Sequence, residues 1–198
     1  PLTRCAHDEM IKIYFAVLAS LDEDAALALV SPARREKALA ISAGAARRQS
    51  LGAALLLHSV FGRSDCSVTE NGKPFFAGSD EHFSLAHCRD TVVCAVSDAP
   101  VGVDIEIERQ NGIALARRWF APDEAMSVEN AADPNAEFCA VWTVKESYIK
   151  LRDLRLADMP RFSVNALDAQ YRSLRLGEYH LACCADSIDK MELLKQKI

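Results

Sequence analysis

A chain of 198 residues, half of them apolar, can bury roughly 70% of the surface that its unfolded form exposes, so it needs neither a disulfide framework nor a structural metal to hold a core. A net charge of −5 and the lack of a long basic run argue against a nucleic-acid surface, whose affinity would come from phosphate neutralisation. Any phosphate site must be local. Seven cysteines, Cys5, Cys66, Cys88, Cys94, Cys139, Cys183 and Cys184, include no CxxC pair and suggest thiols in a reducing compartment. No apolar stretch approaches the ~20 residues of a bilayer span, and no signal-peptide pattern opens the sequence, so the expectation is a cytoplasmic protein without a membrane partner.

In chain order, residues 11–18 form an apolar run that reads as a strand, and Ser31-Pro32 supplies an N-cap followed by proline in the first helical position, so a helix is expected from there. Over 46–61 apolar residues recur at helical spacing (Leu51, Ala54, Leu55) until Gly62 stops them. Asn71-Gly72-Lys73-Pro74 is a turn signal. Strands are expected over 83–86 and 91–97, joined through Arg89-Asp90 as a hairpin. Asp98-Ala99-Pro100 breaks the chain and sets the one lobe boundary, 1–99 against 100–198. Beyond it a strand is expected over 101–107, helices over 122–131 and 135–151, and strands over 162–164, 172–176 and 179–185.

Three segments carry candidate chemistry. In Gly102-Val103-Asp104-Ile105-Glu106-Ile107 apolar and acidic residues alternate, which places Asp104 and Glu106 on one face, roughly 6.6 Å apart along a strand. Such a pair suits a hard cation such as Mg²⁺, which takes one or two carboxylates besides phosphate and water oxygens; it also suits a strand with a solvated acidic face. In Trp142-Thr143-Val144-Lys145-Glu146-Ser147-Tyr148-Ile149-Lys150, the residues Phe138, Val141, Trp142, Tyr148 and Ile149 can form a core stripe while Glu146 and Lys150 share the opposite face. Glu146 and Lys150 stand in the favourable order for an ordinary i, i+4 ion pair, unless Glu146 meets Asp104 and Glu106, where a third carboxylate calls for a cation. Ser31-Pro32-Ala33-Arg34-Arg35-Glu36-Lys37, with Arg47-Arg48 after it, is either a solubilising helix face or a phosphate socket. His87 is either a turn histidine or a phosphate donor.

In this order the segments resemble the 4'-phosphopantetheinyl transferase superfamily, specifically its larger, surfactin-synthetase-activating type. The most specific pieces are Gly102-Val103-Asp104-Ile105-Glu106 and Trp142-x-x-Lys145-Glu146-Ser147-x-x-Lys150, supported by Ser31-Pro32-x-Arg34-Arg35-Glu36-Lys37, Arg48, Gly72-Lys73-Pro74, Phe83-Ser84-Leu85-Ala86-His87 and Arg118-Trp119-Phe120 followed by Glu124. The resemblance implies an α+β fold of two similar α/β lobes related by a pseudo-twofold axis, working as a monomer. The N-terminal lobe would contact coenzyme A and the C-terminal lobe would carry the metal carboxylates and the catalytic helix.

By the same resemblance Asp104, Glu106 and Glu146 hold Mg²⁺, Arg34, Lys37, Arg48 and His87 hold coenzyme A phosphates, Lys73 and Pro74 lie against its adenine end, and Lys150 contacts the pyrophosphate. The implied reaction moves phosphopantetheine from coenzyme A to a serine of an apo acyl, polyketide or peptidyl carrier protein, with Glu146 as first candidate for the base. Glu124 is either an alternative acid-base group or an exposed glutamate in a helix's first turn. Two departures stand out: Ala86 and Cys88 flank the histidine where the family often has hydroxyls, and Arg34 stands where lysine is common. The rival expectations are a non-catalytic carrier-binding module with the same fold and a Mg²⁺-dependent phosphohydrolase.

Overall fold

The computed structural model describes residues 10–198; Cys5 lies outside them. Its first strand, β1 (Met10–Val17), is followed by three helices, α1 (Glu23–Leu29), α2 (Pro32–Leu39) and α3 (Gly44–Phe61). A small hairpin of β2 (Ser67–Val68) and β3 (Pro74–Phe75) leads into β4 (His82–Cys88) and β5 (Thr91–Ser97). The second half runs through β6 (Val101–Ile107), α4 (Gly112–Trp119), α5 (Pro122–Asn130), α6 (Pro134–Arg152), two 3₁₀ turns, β7 (Gln170–Leu176), β8 (Tyr179–Ala185) and β9 (Lys190–Lys195).

The caps explain several boundaries. Ser31 accepts from Arg34 N and Pro32 opens α2, as the sequence predicts. Gly62, at φ 70°, ends α3 in the left-handed conformation. Two helices carry no expectation: α1 has only seven residues and gains its start from Asp22, whose side chain accepts from Asp24 N and Ala25 N, and α4 follows an Asn111 cap with φ 67°.

The strands form two main sheets, ordered β4-β5-β1-β9 and β6-β8-β7. Every pairing in them is antiparallel except β1 with β9, which run parallel. Strand β9 has no counterpart in the expected elements and brings the end of the second half into the sheet of the first. Period-2 alternation decides the layers. Val92 and Cys94 of β5 turn toward α3, joining Leu51, Leu55 and Leu56, whereas Val93 and Ala95 turn the other way and meet Val101, Val103 and Ile105 of β6 and Leu181 and Cys183 of β8. The two sheets therefore pack face to face, with α1–α3 outside the first and α6 outside the second.

On α6 both sides are buried: Phe138, Val141, Trp142 and Ile149 pack with α4 and α5, while Val144 and Leu151 pack on Ala182 and Cys184 of β8. The contact with β6 is closer still. A Cβ on Gly102 would stand 1.9 Å from Ser147 O and 2.6 Å from Leu151 N, so only glycine lets strand and helix backbones approach this far. At its other edge β6 meets β4, where Val103 N donates to Ser84 Oγ at 3.1 Å.

The expected strand at 162–164 is overturned: Phe162 is an extended cap and Val164 opens a 3₁₀ turn. Their backbone groups are taken by side chains, since Lys145 Nζ donates to Phe162 O at 2.5 Å and Val164 N donates to Glu124 Oε1 at 2.6 Å, leaving no ladder to join. The six described cysteines are free thiols, four of them buried. No helix among the described residues is long and apolar enough to cross a membrane.

Candidate active site

Helix α6 is fixed at both ends. Asp133 caps its start by accepting from Asn135 N and Ala136 N, Pro134 takes the first position, and Asp153 at φ 51° ends it. One helical turn apart, Glu146 and Lys150 face the edge of β6, and the Gly102 contact sets how far away that edge lies. Asp104 is 5% exposed. Its Oδ1 accepts from Lys150 Nζ at 2.7 Å, and the same ammonium donates to Val103 O at 3.1 Å. Asp104 Oδ2 is buried with no partner.

Glu106, two residues on, accepts from Arg109 Nη2 at 2.5 Å and from Cys88 Sγ at 3.6 Å. The Arg109 guanidinium lies 5.8 Å from the Trp142 ring centroid. Glu146 completes the group: burial, then the charge of Asp104, raise its pKa to about 7, Glu106 adds to the rise, and Lys150 and Arg109 oppose it. His87 stands at the solvent-facing end of β4. Desolvation by the protein around its ring, followed by Lys150, holds its pKa below the ordinary histidine value against the pull of Asp104 and Glu106. Among the described residues no group of three or more His, Cys, Asp or Glu side chains stands in ligating geometry as the chains lie; Asp104 and Glu106 are turned to Lys150 and Arg109 instead.

Beside the carboxylates a cavity of about 340 Å³ separates the β2–β3 hairpin from the end of α6. Gly72, Lys73 and Pro74 form one wall, Glu146, Lys150 and Asp153 the other, and Ser84 and Leu85 lie between. Lys73 Nζ donates to Val101 O at 3.3 Å, and burial lowers its pKa while Asp153 opposes the shift.

The structure thus brings Asp104, Glu106, Glu146, Lys150 and His87 together, with Lys73 and Pro74 across the cavity. Arg34, Lys37 and Arg48 do not line it. Arg34 donates from Nη2 to Ser50 O at 2.9 Å and buries Nε without a partner, and Lys37 is exposed. Arg48 donates to Leu21 O and Leu18 O and pairs with Glu23 at 3.7 Å.

Glu124 is not an exposed first-turn glutamate. It is 1% exposed and pairs at 2.6 Å with Lys145, itself fully buried. Glu124 also accepts from Ala121 N at 2.8 Å and Val164 N at 2.6 Å, so the pair ties α5, α6 and the 162–164 segment into one unit. Sequence reasoning missed Arg109, Cys88 as a donor to Glu106, and Asp153; the only signal for Arg109 was a basic residue three positions beyond Glu106, where the strand has ended.

Carboxylates thus lie beside a cavity lined by Lys73 and Lys150 in a mixed α/β fold. The sequence pattern of the 4'-phosphopantetheinyl transferase superfamily matches residues 100–191. A 4'-phosphopantetheinyl transferase of Bacillus subtilis is 30% identical over 191 residues, 90% of this chain and 85% of the relative. The psf-1 transferase of Bacillus pumilus is 32% identical over 149 residues, 70% of this chain and 64% of its own length, and the AcpT transferase of Salmonella typhimurium is 39% identical over 89 residues, 42% and 46% respectively. The chain belongs to the 4'-phosphopantetheinyl transferase superfamily, of the surfactin-synthetase-activating type.

Proposed function

We propose that the chain transfers the 4'-phosphopantetheine arm of coenzyme A to a serine hydroxyl of an apo acyl, polyketide or peptidyl carrier protein. The serine oxygen bonds to the β-phosphorus of the pyrophosphate, the bridging P–O bond breaks, and adenosine 3',5'-bisphosphate leaves. The observation that carries this reading is that Asp104 and Glu106 lie close enough to act on the charge of Glu146, which lines a cavity together with Lys73 and Lys150.

The chemistry of the same residues suits a hard divalent cation, which would have to draw Asp104 and Glu106 from Lys150 and Arg109. Asp104 keeps one buried oxygen unpartnered, and burial together with the neighbouring Asp104 and Glu106 raises the Glu146 pKa, a clustering of like charge that is costly without a counter-charge. Mg²⁺ held by Asp104, Glu106 and Glu146 would neutralise charge on the pyrophosphate oxygens. Lys150 lines the cavity and supplies further positive charge to the phosphates. His87 would donate a ring N–H to a phosphate oxygen. Glu146, presented from a rigid helix beside these groups, is the candidate for taking the serine proton, directly or through a water.

Lys73 and Pro74 take the adenine end of coenzyme A in this reading, and Arg34, Lys37 and Arg48 take its phosphates farther out. Support for the last three is uneven: Arg34 has an unpartnered nitrogen, Lys37 is exposed, and Arg48 has to exchange its carbonyl partners. The recurrence of a long helix on a sheet in each half, α3 with β5 and α6 with β6, supports two lobes, 1–99 and 100–198, about a pseudo-twofold axis. Such a protein is expected to be a cytoplasmic monomer. Mass spectrometry of an apo carrier incubated with this chain, coenzyme A and Mg²⁺ tests the proposal. The expected result is a gain of one phosphopantetheine that needs Mg²⁺ and fails with Glu146→Gln; coenzyme A binding without transfer to any carrier class selects the non-catalytic module instead.

A further inference from the structure

The two walls of the cavity come from distant parts of the chain, and one residue joins them. Asp153 ends α6 at φ 51°, a left-handed position where glycine is the default and Asp is one of the few side chains that recur. Its Oδ1 accepts from Thr69 Oγ1 at 2.8 Å, and its carbonyl accepts from Asn71 Nδ2 at 2.6 Å. Thr69 is in turn the pivot of the β2–β3 turn: Thr69 N donates to Lys73 O at 2.9 Å, Gly72 N donates to Thr69 O at 3.0 Å, and Lys73 N donates to Thr69 Oγ1 at 3.0 Å. The charge of Asp153 also reaches the Lys73 ammonium. A continuous path therefore runs from the end of the helix that carries Glu146 and Lys150, through Asp153 and Thr69, to the backbone of Lys73.

We propose that Asp153 is a positioning residue for coenzyme A, bracing the Lys73-Pro74 wall against the end of α6 at the spacing the nucleotide end requires. This rests on the reading of the cavity as the coenzyme A site. The hairpin itself has only a two-residue ladder, Ser67 with Phe75 and Val68 with Pro74, which gives it little stability of its own. The brace acts on binding and leaves the chemistry at Glu146 alone.

The test uses Asp153→Gly, which accepts the left-handed backbone without steric cost but removes the carboxylate, and Thr69→Val, which removes the hydroxyl at the other end. Asp153→Gly is expected to raise the Kd and KM for coenzyme A on the order of tenfold, the loss of one charge-assisted hydrogen bond, and Thr69→Val, which also takes the acceptor from Lys73 N, at least as much, with kcat and the carrier KM unchanged. Asp153→Asn and Thr69→Ser, which keep an acceptor and a hydroxyl, are expected to stay within about twofold of the parent. Coenzyme A affinity is read by calorimetry and stability by thermal melting. Parental affinity in Asp153→Gly and Thr69→Val overturns the brace, as does a drop in melting temperature with no change in coenzyme A affinity. Failure of the unaltered chain to bind coenzyme A at all overturns the cavity assignment first, and the brace with it.

Discussion

Lys150 donates to only one oxygen of Asp104, at 2.7 Å, and the second oxygen is buried without a partner. A buried carboxylate with half its acceptors unused is costly to keep. Among the described residues, Lys150 is the one cation that the structure places on this carboxylate. Replacing Lys150 with Met removes a positive charge from the cavity wall. The expected outcome is a fall in kcat/KM of about 10²–10³-fold, the size typical for removing one charge-stabilising donor, measured by steady-state transfer to an apo carrier.

Metal affinity should depend on pH through Glu146. In the metal-free protein its pKa is raised from 4.5 to about 7, so a proton competes with the metal for the carboxylate. Mg²⁺ affinity is expected to fall on the order of tenfold per pH unit below about 7, and calorimetry in buffers of different ionisation enthalpy should show proton release on binding. The sign for stability is opposite. Because the folded form holds this proton more tightly than the unfolded chain, the contribution of Glu146 to stability is present below pH 4.5 and is lost as pH rises toward about 7. Thermal melts of the metal-free protein should fall relative to Glu146→Gln across that window, and Mg²⁺ should restore them.

Much of this site was legible in the sequence because its signals are local. Alternation around Asp104 and Glu106, and the helical spacing that aligns Glu146 with Lys150, are properties of neighbouring residues, and β6 and α6 appear where those patterns place them. What stayed hidden depends on partners far along the chain. Strand β9 is short and ends in lysines, and it becomes a strand by pairing with β1, with Met10 opposite Lys190. Phe162 and Val164 look like strand residues, but Lys145 and Glu124 claim their backbone groups. Neither Arg109 against Glu106 nor Asp153 against Thr69 has a periodic signature, since both lie just past the end of a regular element.

The Lys145–Glu124 pair makes a stability prediction. Both side chains are buried, at 0% and 1% exposure, and burial pulls the Lys145 pKa down while Glu124 opposes it. Removing one partner strands the other charge. Lys145→Met and Glu124→Gln are each expected to cost about 3–5 kcal/mol in urea unfolding. The double replacement should cost clearly less than the sum of the two, because no uncompensated charge is left. Strict additivity in that cycle would mean that the two side chains act separately.

Gly102 ties folding and function together at one backbone contact. Its missing Cβ leaves room for Ser147 O and Leu151 N, which are main-chain atoms of a helix packed on both sides and cannot swing away as a side-chain tip could. Gly102→Ala must therefore push β6 off α6. That costs about 1–3 kcal/mol or more of stability and widens the gap between Asp104 on the strand and Glu146 and Lys150 on the helix. The expected result is a lower denaturation midpoint together with a loss of Mg²⁺-dependent transfer larger than the unfolded fraction accounts for, measured at a temperature where the variant remains folded. Gly52→Ala is the control, because the nearest atoms that its Cβ would meet belong to the Leu18 side chain, 2.4 Å from Cδ2, in the core of the first half. That variant should lose stability while its folded fraction keeps full activity, which separates the strain at Gly102 from destabilisation in general.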